Sequence, residues 1–271
     1  MYVTMIQEYS PSNFPFVIIT GGSSGIGKEF LHSFLNIPHE GTVFNISRRK
    51  PEFSFMPKRP FEHFSCDLNS LGNLESTVQK IIERIESSSV KGPILVVNNS
   101  GFGSYGHFDQ LDIAHELSMV DVNIKAVISL THRLLPLLKK QSGALINISS
   151  VAGYVPIPNI ATYAASKAFI LHWGLALNAE LKGTDVHVLT VCPGRTETAF
   201  FDKPAMGNRT ARKSSGQKPE DVVKESFCAL KKRKPVLVCG AKNKLFAFVT
   251  SKMPKALFTS VAGFVLGRKK R

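Results

Sequence analysis

The stretch "PFVIITGGSSGIG", residues 15–27, decides the fold. A short β-branched, apolar run breaks into glycines and serines, and an amphipathic run follows at once. That order, strand then glycine-rich turn then helix, is the context a phosphate-cradling loop requires. Gly21 permits the tight turn, and Gly25 and Gly27 let backbone approach a pyrophosphate and let the helix approach the sheet. Free N–H groups and the helix dipole then face the anion. Ser23, Ser24 and Ile26 complete the cradle. The spacing is G-x-x-x-G-x-G.

Outward from this loop the pattern repeats. Apolar runs at 15–21, 42–48, 61–68, 93–101, 143–150, 185–193 and 235–240 alternate with helical stretches at 25–37, 70–88, 112–140, 160–182 and 219–233. Near-continuous hydrophobicity suits strands covered on both faces, so the chain predicts an α/β, doubly wound parallel sheet of about seven strands joined by right-handed crossovers. In such sheets ligands bind at the carboxyl ends of the strands. Residues 1–240 form the predicted dinucleotide-binding domain, 241–271 a basic C-terminal extension, and the polar segment 202–219 an inserted loop or lid.

Composition narrows the class. With 271 residues and 43% hydrophobic content the chain can bury a substantial core. Its N-terminus lacks a basic start followed by an apolar run, and no segment offers about 20 uninterrupted apolar residues, so a cytosolic protein is expected. Cys66, Cys192, Cys228 and Cys239 form no C-x-x-C pair and the eight histidines no H-E-x-x-H, so neither a disulfide framework nor a metal site is signalled and the thiols read as reduced core residues. Charge is unevenly placed: residues 1–202 carry 16 Lys/Arg against 17 Asp/Glu, and residues 203–271 carry 18 against 3. The segment 242–271 has eight basic residues, no acidic ones, and apolar runs broken at Lys252, Pro254 and Lys255. Two readings of it stand: an interfacial segment on an anionic membrane surface, or a helix packed over the pocket or a subunit interface. No recognition motif accompanies the charge, so nucleic acid is not an expected partner.

The end of the second run discriminates between cofactors. An acidic group about 20 residues past the glycines binds a ribose 2′-hydroxyl, whereas arginine accommodates a 2′-phosphate. Here the sequence is "NISRRK": Ser47 stands where the acid would be, followed by Arg48 and Arg49. NADP(H) is therefore the expected cofactor. Asp67, with Leu68 beside it, is placed to accept from an adenine amino group. In "TYAASKAF", residues 162–169, Tyr163 and Lys167 stack on one helical face.

With "TGGSSGIG", "NNSG", "SSVAG", "YAASK" and "CPG" in this order, the chain resembles the short-chain dehydrogenase/reductase family over roughly residues 14–240. The resemblance implies a Rossmann-type domain and hydride transfer between nicotinamide and a carbonyl or alcohol carbon. It implies that Asn123, Ser150, Tyr163 and Lys167 are catalytic. It also places Asn99, Ser100 and Gly101 along the cofactor, and Pro193, Gly194 and Thr198 at its nicotinamide end; Tyr163 and Lys167 border the cofactor too. Ser100 replaces the usual alanine, and its hydroxyl needs a partner. Relatives are commonly homo-oligomers. On this reading the Lys167 ammonium, together with the positive nicotinamide of the oxidised cofactor, favours a Tyr163 phenolate, Ser150 orients the substrate oxygen, and Asn123 anchors a water that passes protons to Lys167. The expected activity is reduction of a fairly apolar carbonyl or oxidation of the secondary alcohol, of ketone, steroid or 3-ketoacyl type. The rival reading is a non-catalytic, NADP-sensing scaffold docked through the basic tail. Phe102, Tyr105, Phe108, Tyr154, Phe200 and Phe201 are candidates for the pocket walls.

Overall fold

The apolar runs form seven parallel strands: β1 (Phe16–Thr20), β2 (Val43–Ser47), β3 (Phe61–Ser65), β4 (Ile94–Asn98), β5 (Gly143–Ile148), β6 (Val186–Cys192) and β7 (Val236–Val238). The computed structural model describes residues 10–200 and 216–268. The strands lie in the order β3-β2-β1-β4-β5-β6-β7. The order reverses between β1 and β4, which places the crevice for a ligand beyond Thr20 and Asn98.

Every residue of β1, β2, β4, β5 and β6 is buried, because helices cover both faces. On one face Phe30 and Phe34 of α1 (Gly25–Leu35) and Val222 and Leu230 of α6 (Pro219–Lys231) pack on the sheet. On the other, Leu74, Val78 and Ile81 of α2 (Leu71–Ser87) meet the helices that follow β4 and β5. A row of polar side chains crosses this interior. Asn98 and Asn147 are paired in register, and Asn98 Nδ2 donates to Asn147 Oδ1 at 2.8 Å.

The helix expected over 112–140 is three segments: α3 (Ile113–Val120), a π-helical turn at Asp121–Lys125, and α4 (Ala126–Gln141). A π-turn inserts one extra residue per turn and recurs at functional sites; here it carries Asn123. β3 ends at Ser65, short of the expected 68, because Asp67 Oδ1 accepts from the backbone N–H of Asn69 at 3.1 Å and turns the chain towards α2. Of the expected loop at 202–219, residues 202–215 lie outside the described residues. Its exit is tied back by Gln217, whose N–H donates to the Arg195 carbonyl at 2.9 Å.

The C-terminal extension is two helices, α7 (Ala241–Lys252) and α8 (Lys255–Arg268), broken at Met253 and Pro254 where the apolar pattern breaks. α7 packs on β7 and on the turn at Val151–Tyr154. Lys255 Nζ donates to the Tyr154 carbonyl at 2.6 Å. Among the described residues no helix is long and apolar enough to cross a membrane. Three of the four free thiols are buried; Cys228 is exposed, since it falls on the outer face of α6, and so corrects the expectation of a core residue.

Candidate active site

The loop after β1 is built from glycines because nothing larger fits. Gly21 has φ +73° and Gly25 φ +57°, and a Cβ on Gly27 would lie 2.4 Å from the Gly21 carbonyl oxygen. Thr20 fixes the loop to its neighbour: its Oγ1 accepts from the backbone N–H groups of Asn99 and Ser100, both at 3.0 Å. Asn99 Nδ2 returns a bond to the Thr20 carbonyl at 3.0 Å. The Ser100 hydroxyl lies against Gly21, 2.7 Å from where a Cβ would stand. Thr198 rests on Gly25 from the opposite side, its Cγ2 3.1 Å from the corresponding position. The cleft thus has a rim of main chain, closed by Thr198 and opening at the N-terminus of α1. Ser23 and Ile26 on that rim are half-buried and Ser24 is exposed.

Arg48 and Arg49 are exposed at the end of β2, and Ser47 is buried beneath them. Asp67 Oδ1 is engaged by both the N–H and the Nδ2 of Asn69, which orients the carboxylate on the rim near Leu68. A glycine cradle at a helix N-terminus with guanidinium groups at its far end fits an extended polyanion such as a dinucleotide.

Ser150, Tyr163 and Lys167 converge at the other end of the cleft. Ser150 caps the turn at Val151–Tyr154, accepting from the Ala152 N–H at 3.1 Å, and hydrogen-bonds the Tyr163 phenol. Lys167, one turn beyond Tyr163 on α5 (Ala161–Glu180), donates to the Ile148 carbonyl at 2.9 Å. Its carbonyl accepts from Ser149 Oγ at 2.7 Å, and Gly153 lets the neighbouring turn press against it. Gly101 lies over the pair formed by Asn123 and Lys167: a Cβ there would be 3.0 Å from Asn123 Oδ1 and 3.2 Å from Lys167 Nζ.

Burial, the larger influence, pushes the Tyr163 phenol up to about 12 against the pull of Ser150. Burial likewise pushes Lys167 down to about 8, with Cys192 acting in the opposite sense. These surroundings alone hold Tyr163 as a phenol; the bias towards phenolate includes the positive nicotinamide of a bound oxidised cofactor. The Asn123 amide is engaged by protein groups on both sides. Its Oδ1 accepts from Phe102 N–H at 3.1 Å, while Nδ2 donates to the Phe102 carbonyl and to Ser166 Oγ, both at 3.0 Å. It clamps the loop after β4 onto α5.

Pro193 is buried, and its carbonyl accepts from the Val151 N–H at 3.0 Å. Gly194 is needed because Asn243 of α7 stands in the way: a Cβ would meet Asn243 Nδ2 at 2.3 Å. The basic extension therefore touches the loop of Pro193 and Gly194, a contact that no local motif announced. Among the candidate wall residues, Phe200 lies over the Tyr163 ring at 5.6 Å and Tyr105 Oη accepts from Asn159 Nδ2 at 3.2 Å. Phe102 packs edge-on to His115, and the Tyr154 hydroxyl meets the buried Cys192 thiol. Phe108 is 62% exposed and turns away, and Phe201 lies outside the described residues.

The family description "short chain dehydrogenase" matches residues 15–207. The chain belongs to that family and is an oxidoreductase of its type, which act on alcohol or carbonyl groups. It is 30% identical over 220 residues to sulfoacetaldehyde reductase 2 of Chromohalobacter salexigens, covering 78% of this chain and 86% of that one. It is 30% identical over 200 residues to serine 3-dehydrogenase of Agrobacterium fabrum, covering 72% and 77%. A short-chain dehydrogenase of Sphingobium yanoikuyae, solved with NADPH, superposes with a TM-score of 0.73 at 23% identity over 90% of this chain and 97% of its own.

Proposed function

We propose that the protein is an NADP(H)-dependent oxidoreductase that interconverts a fairly apolar carbonyl compound and its secondary alcohol. The observation that carries this is the convergence of Ser150, Tyr163 and Lys167 beside Gly101, at the sheet's switch point, with Arg48 and Arg49 at the far end of the same cleft. Gly21, Gly25, Gly27, Asn99 and Thr198 would hold the dinucleotide, and the nicotinamide supplies or accepts the hydride. The absence of a carboxylate at Ser47 and the two guanidinium groups beyond it favour a 2′-phosphate. The Sphingobium neighbour's NADPH is consistent with that choice.

The chain's own work is acid-base chemistry. Tyr163, held as a phenol, donates its proton to the substrate oxygen during carbonyl reduction and is left as a phenolate. The Ser150 hydroxyl, already bonded to Tyr163, positions that oxygen, and the Lys167 ammonium stabilises the phenolate as it forms. Asn123 keeps the loop of Gly101 and Phe102 in place around them. An NADP-sensing scaffold needs the glycine cradle but none of these groups, so the enzyme reading is favoured. Phe200, tilted against the Tyr163 ring, would give the substrate an apolar wall.

Four free thiols fit a reducing, cytosolic compartment. Exposed Ile113, Leu117 and Ile128 on α3 and α4 offer apolar surface for a homo-oligomer. The exposed apolar and basic face of α7 and α8 would suit docking on an anionic membrane surface. The test of the central reading is NADPH oxidation by the purified chain against aldehydes, ketones, steroids and 3-ketoacyl thioesters, with NADH in parallel. Turnover of one apolar class with NADPH preferred supports it, and preference for NADH overturns the cofactor assignment.

A further inference from the structure

A buried amide beneath the cofactor cleft joins its two anion-binding ends. Asn45, in the middle of β2, is fully buried. Its Oδ1 accepts from the Gly22 N–H of the glycine loop at 2.9 Å. A side chain on Gly22 would destroy that approach, since a Cβ would lie 2.4 Å from the same oxygen. Its Nδ2 carries two hydrogens, and the structure gives both a partner: Ser47 Oγ at 2.8 Å and His63 Nδ1 of β3 at 2.9 Å. With Asn45 donating, His63 Nδ1 accepts. The Ser47 hydroxyl, occupied as an acceptor, spends its own hydrogen on the Arg49 carbonyl at 2.8 Å. The Arg48 carbonyl is held separately by Ser65 Oγ at 3.2 Å.

A directed chain thus runs from Gly22 N–H through Asn45 and Ser47 to the backbone of the arginine pair. Arginine side chains are long and exposed here, so where their guanidinium groups reach depends on how firmly the backbone under them is fixed. We infer that Ser47 is a positioning residue for 2′-phosphate selection: its hydroxyl locks the Arg48–Arg49 turn, and Asn45 registers that turn to the glycine loop. Ser47 thus does more than leave out the carboxylate that would repel a 2′-phosphate. This rests on the NADP(H) reading above and adds to it the side chain that sets the discrimination.

The probes are adenosine 2′,5′-bisphosphate and 5′-AMP, titrated calorimetrically into the full chain, so that the readout is binding and not turnover. Wild-type protein is expected to bind the bisphosphate more tightly. Ser47→Ala should weaken the bisphosphate roughly tenfold, about the worth of one hydrogen bond that orders a charged group, and leave 5′-AMP unchanged. Ser47→Thr, which keeps the hydroxyl, should restore the preference. Asn45→Leu, which also frees Gly22, should weaken both probes. A Ser47→Ala protein of unchanged Tm that keeps the wild-type ratio of affinities overturns the inference alone. Equal binding of the two probes by the wild type overturns the NADP(H) reading and the inference with it.

Discussion

Lys167 Nζ lies 5.9 Å from the centroid of the Tyr163 ring and gives its hydrogen bond to the Ile148 carbonyl, not to the phenol oxygen. The two side chains are therefore neighbours with the ammonium over the ring and no hydrogen bond between them. Both groups are displaced towards their neutral forms by the same burial, the phenol up to about 12 and the amine down to about 8. A neutral phenol beside a cation is a proton donor whose conjugate base is already provided for. That suits carbonyl reduction without a phenolate at rest.

Tyr163→Phe removes only the hydroxyl. It is expected to lower kcat/KM for carbonyl reduction by about 10²- to 10⁴-fold, the usual worth of a positioned general acid, with a near-wild-type Kd for NADPH. Survival of wild-type turnover would end the proposed mechanism.

The pH profile follows from the two shifts. Reduction uses protonated Tyr163, and with that group near 12 in the free enzyme its limb lies far above neutrality. The first limb met on raising the pH is loss of the Lys167 proton near 8, so kcat/KM for reduction should be level through neutral pH and fall above about 8. Alcohol oxidation, which needs the phenolate, should rise with pH. A reduction rate that falls between pH 6 and 7, taken as about the midpoint of the level region, would contradict the assignment.

Lys167 also has a stability signature. Its folded value near 8 lies below the unfolded value of 10.5, so between these the unfolded chain binds more protons and stability gains as pH rises. Below about 8 the fold carries a buried charge at a cost. Lys167→Met is therefore expected to raise Tm at pH 7 while abolishing turnover, and the Tm advantage should shrink as pH passes from 8 towards 10.5. Thermal melts of both proteins at the two extremes measure this. An advantage that does not change with pH would assign the effect to packing alone.

Gly101→Ala tests the floor of the site. A Cβ would stand 3.0 Å from Asn123 Oδ1 and 3.2 Å from Lys167 Nζ, closer than ordinary contacts, and Asn123 is held by three hydrogen bonds. The lysine must give way. The expected result is a loss of kcat of about tenfold or more, with a Tm drop of a few degrees. Wild-type kcat would mean that Lys167 has room the structure does not display.

The strands were legible because burial on both faces leaves a one-dimensional mark: runs such as "FVIIT" and "ILVVN" need no partner to be recognised. The glycine loop and the spacing from Ser150 through Tyr163 to Lys167 were legible for the same reason, since each is local along the chain. What was not legible depends on contacts across the fold. Asn45 meets Gly22 and His63 only once three strands are aligned, and Asn243 reaches Gly194 only after α7 folds back. The desolvation acting on Tyr163 was not legible, because sequence displays a neighbouring charge but not what encloses the phenol. The π-turn at Asp121–Lys125 carries no propensity signal.

The last prediction concerns the exposed side of the extension. Leu245, Phe248 and Val249 are 65%, 66% and 48% exposed and share one face of α7. Lys242 and Lys252 lie at the two ends of that stripe, both exposed. On α8, Leu257 and Val261 add 55% and 54% exposed positions, and Phe246 packs against Phe258 to join the helices. On the membrane reading proposed above, an apolar stripe ending in lysines, in a segment with eight basic residues and no acidic ones, would meet an anionic interface. The chain should co-sediment with vesicles containing phosphatidylglycerol, less with pure phosphatidylcholine, and be released by salt. The double substitution Leu245→Glu and Phe248→Glu should weaken this at least tenfold, since burying two such side chains is worth about 3 kcal/mol or more. Both positions are about two-thirds exposed, at 65% and 66%, so Tm and turnover should hold. If the variant instead loses only self-association by light scattering, with vesicle binding absent in wild type, the stripe is a contact between copies of the chain and the membrane reading fails.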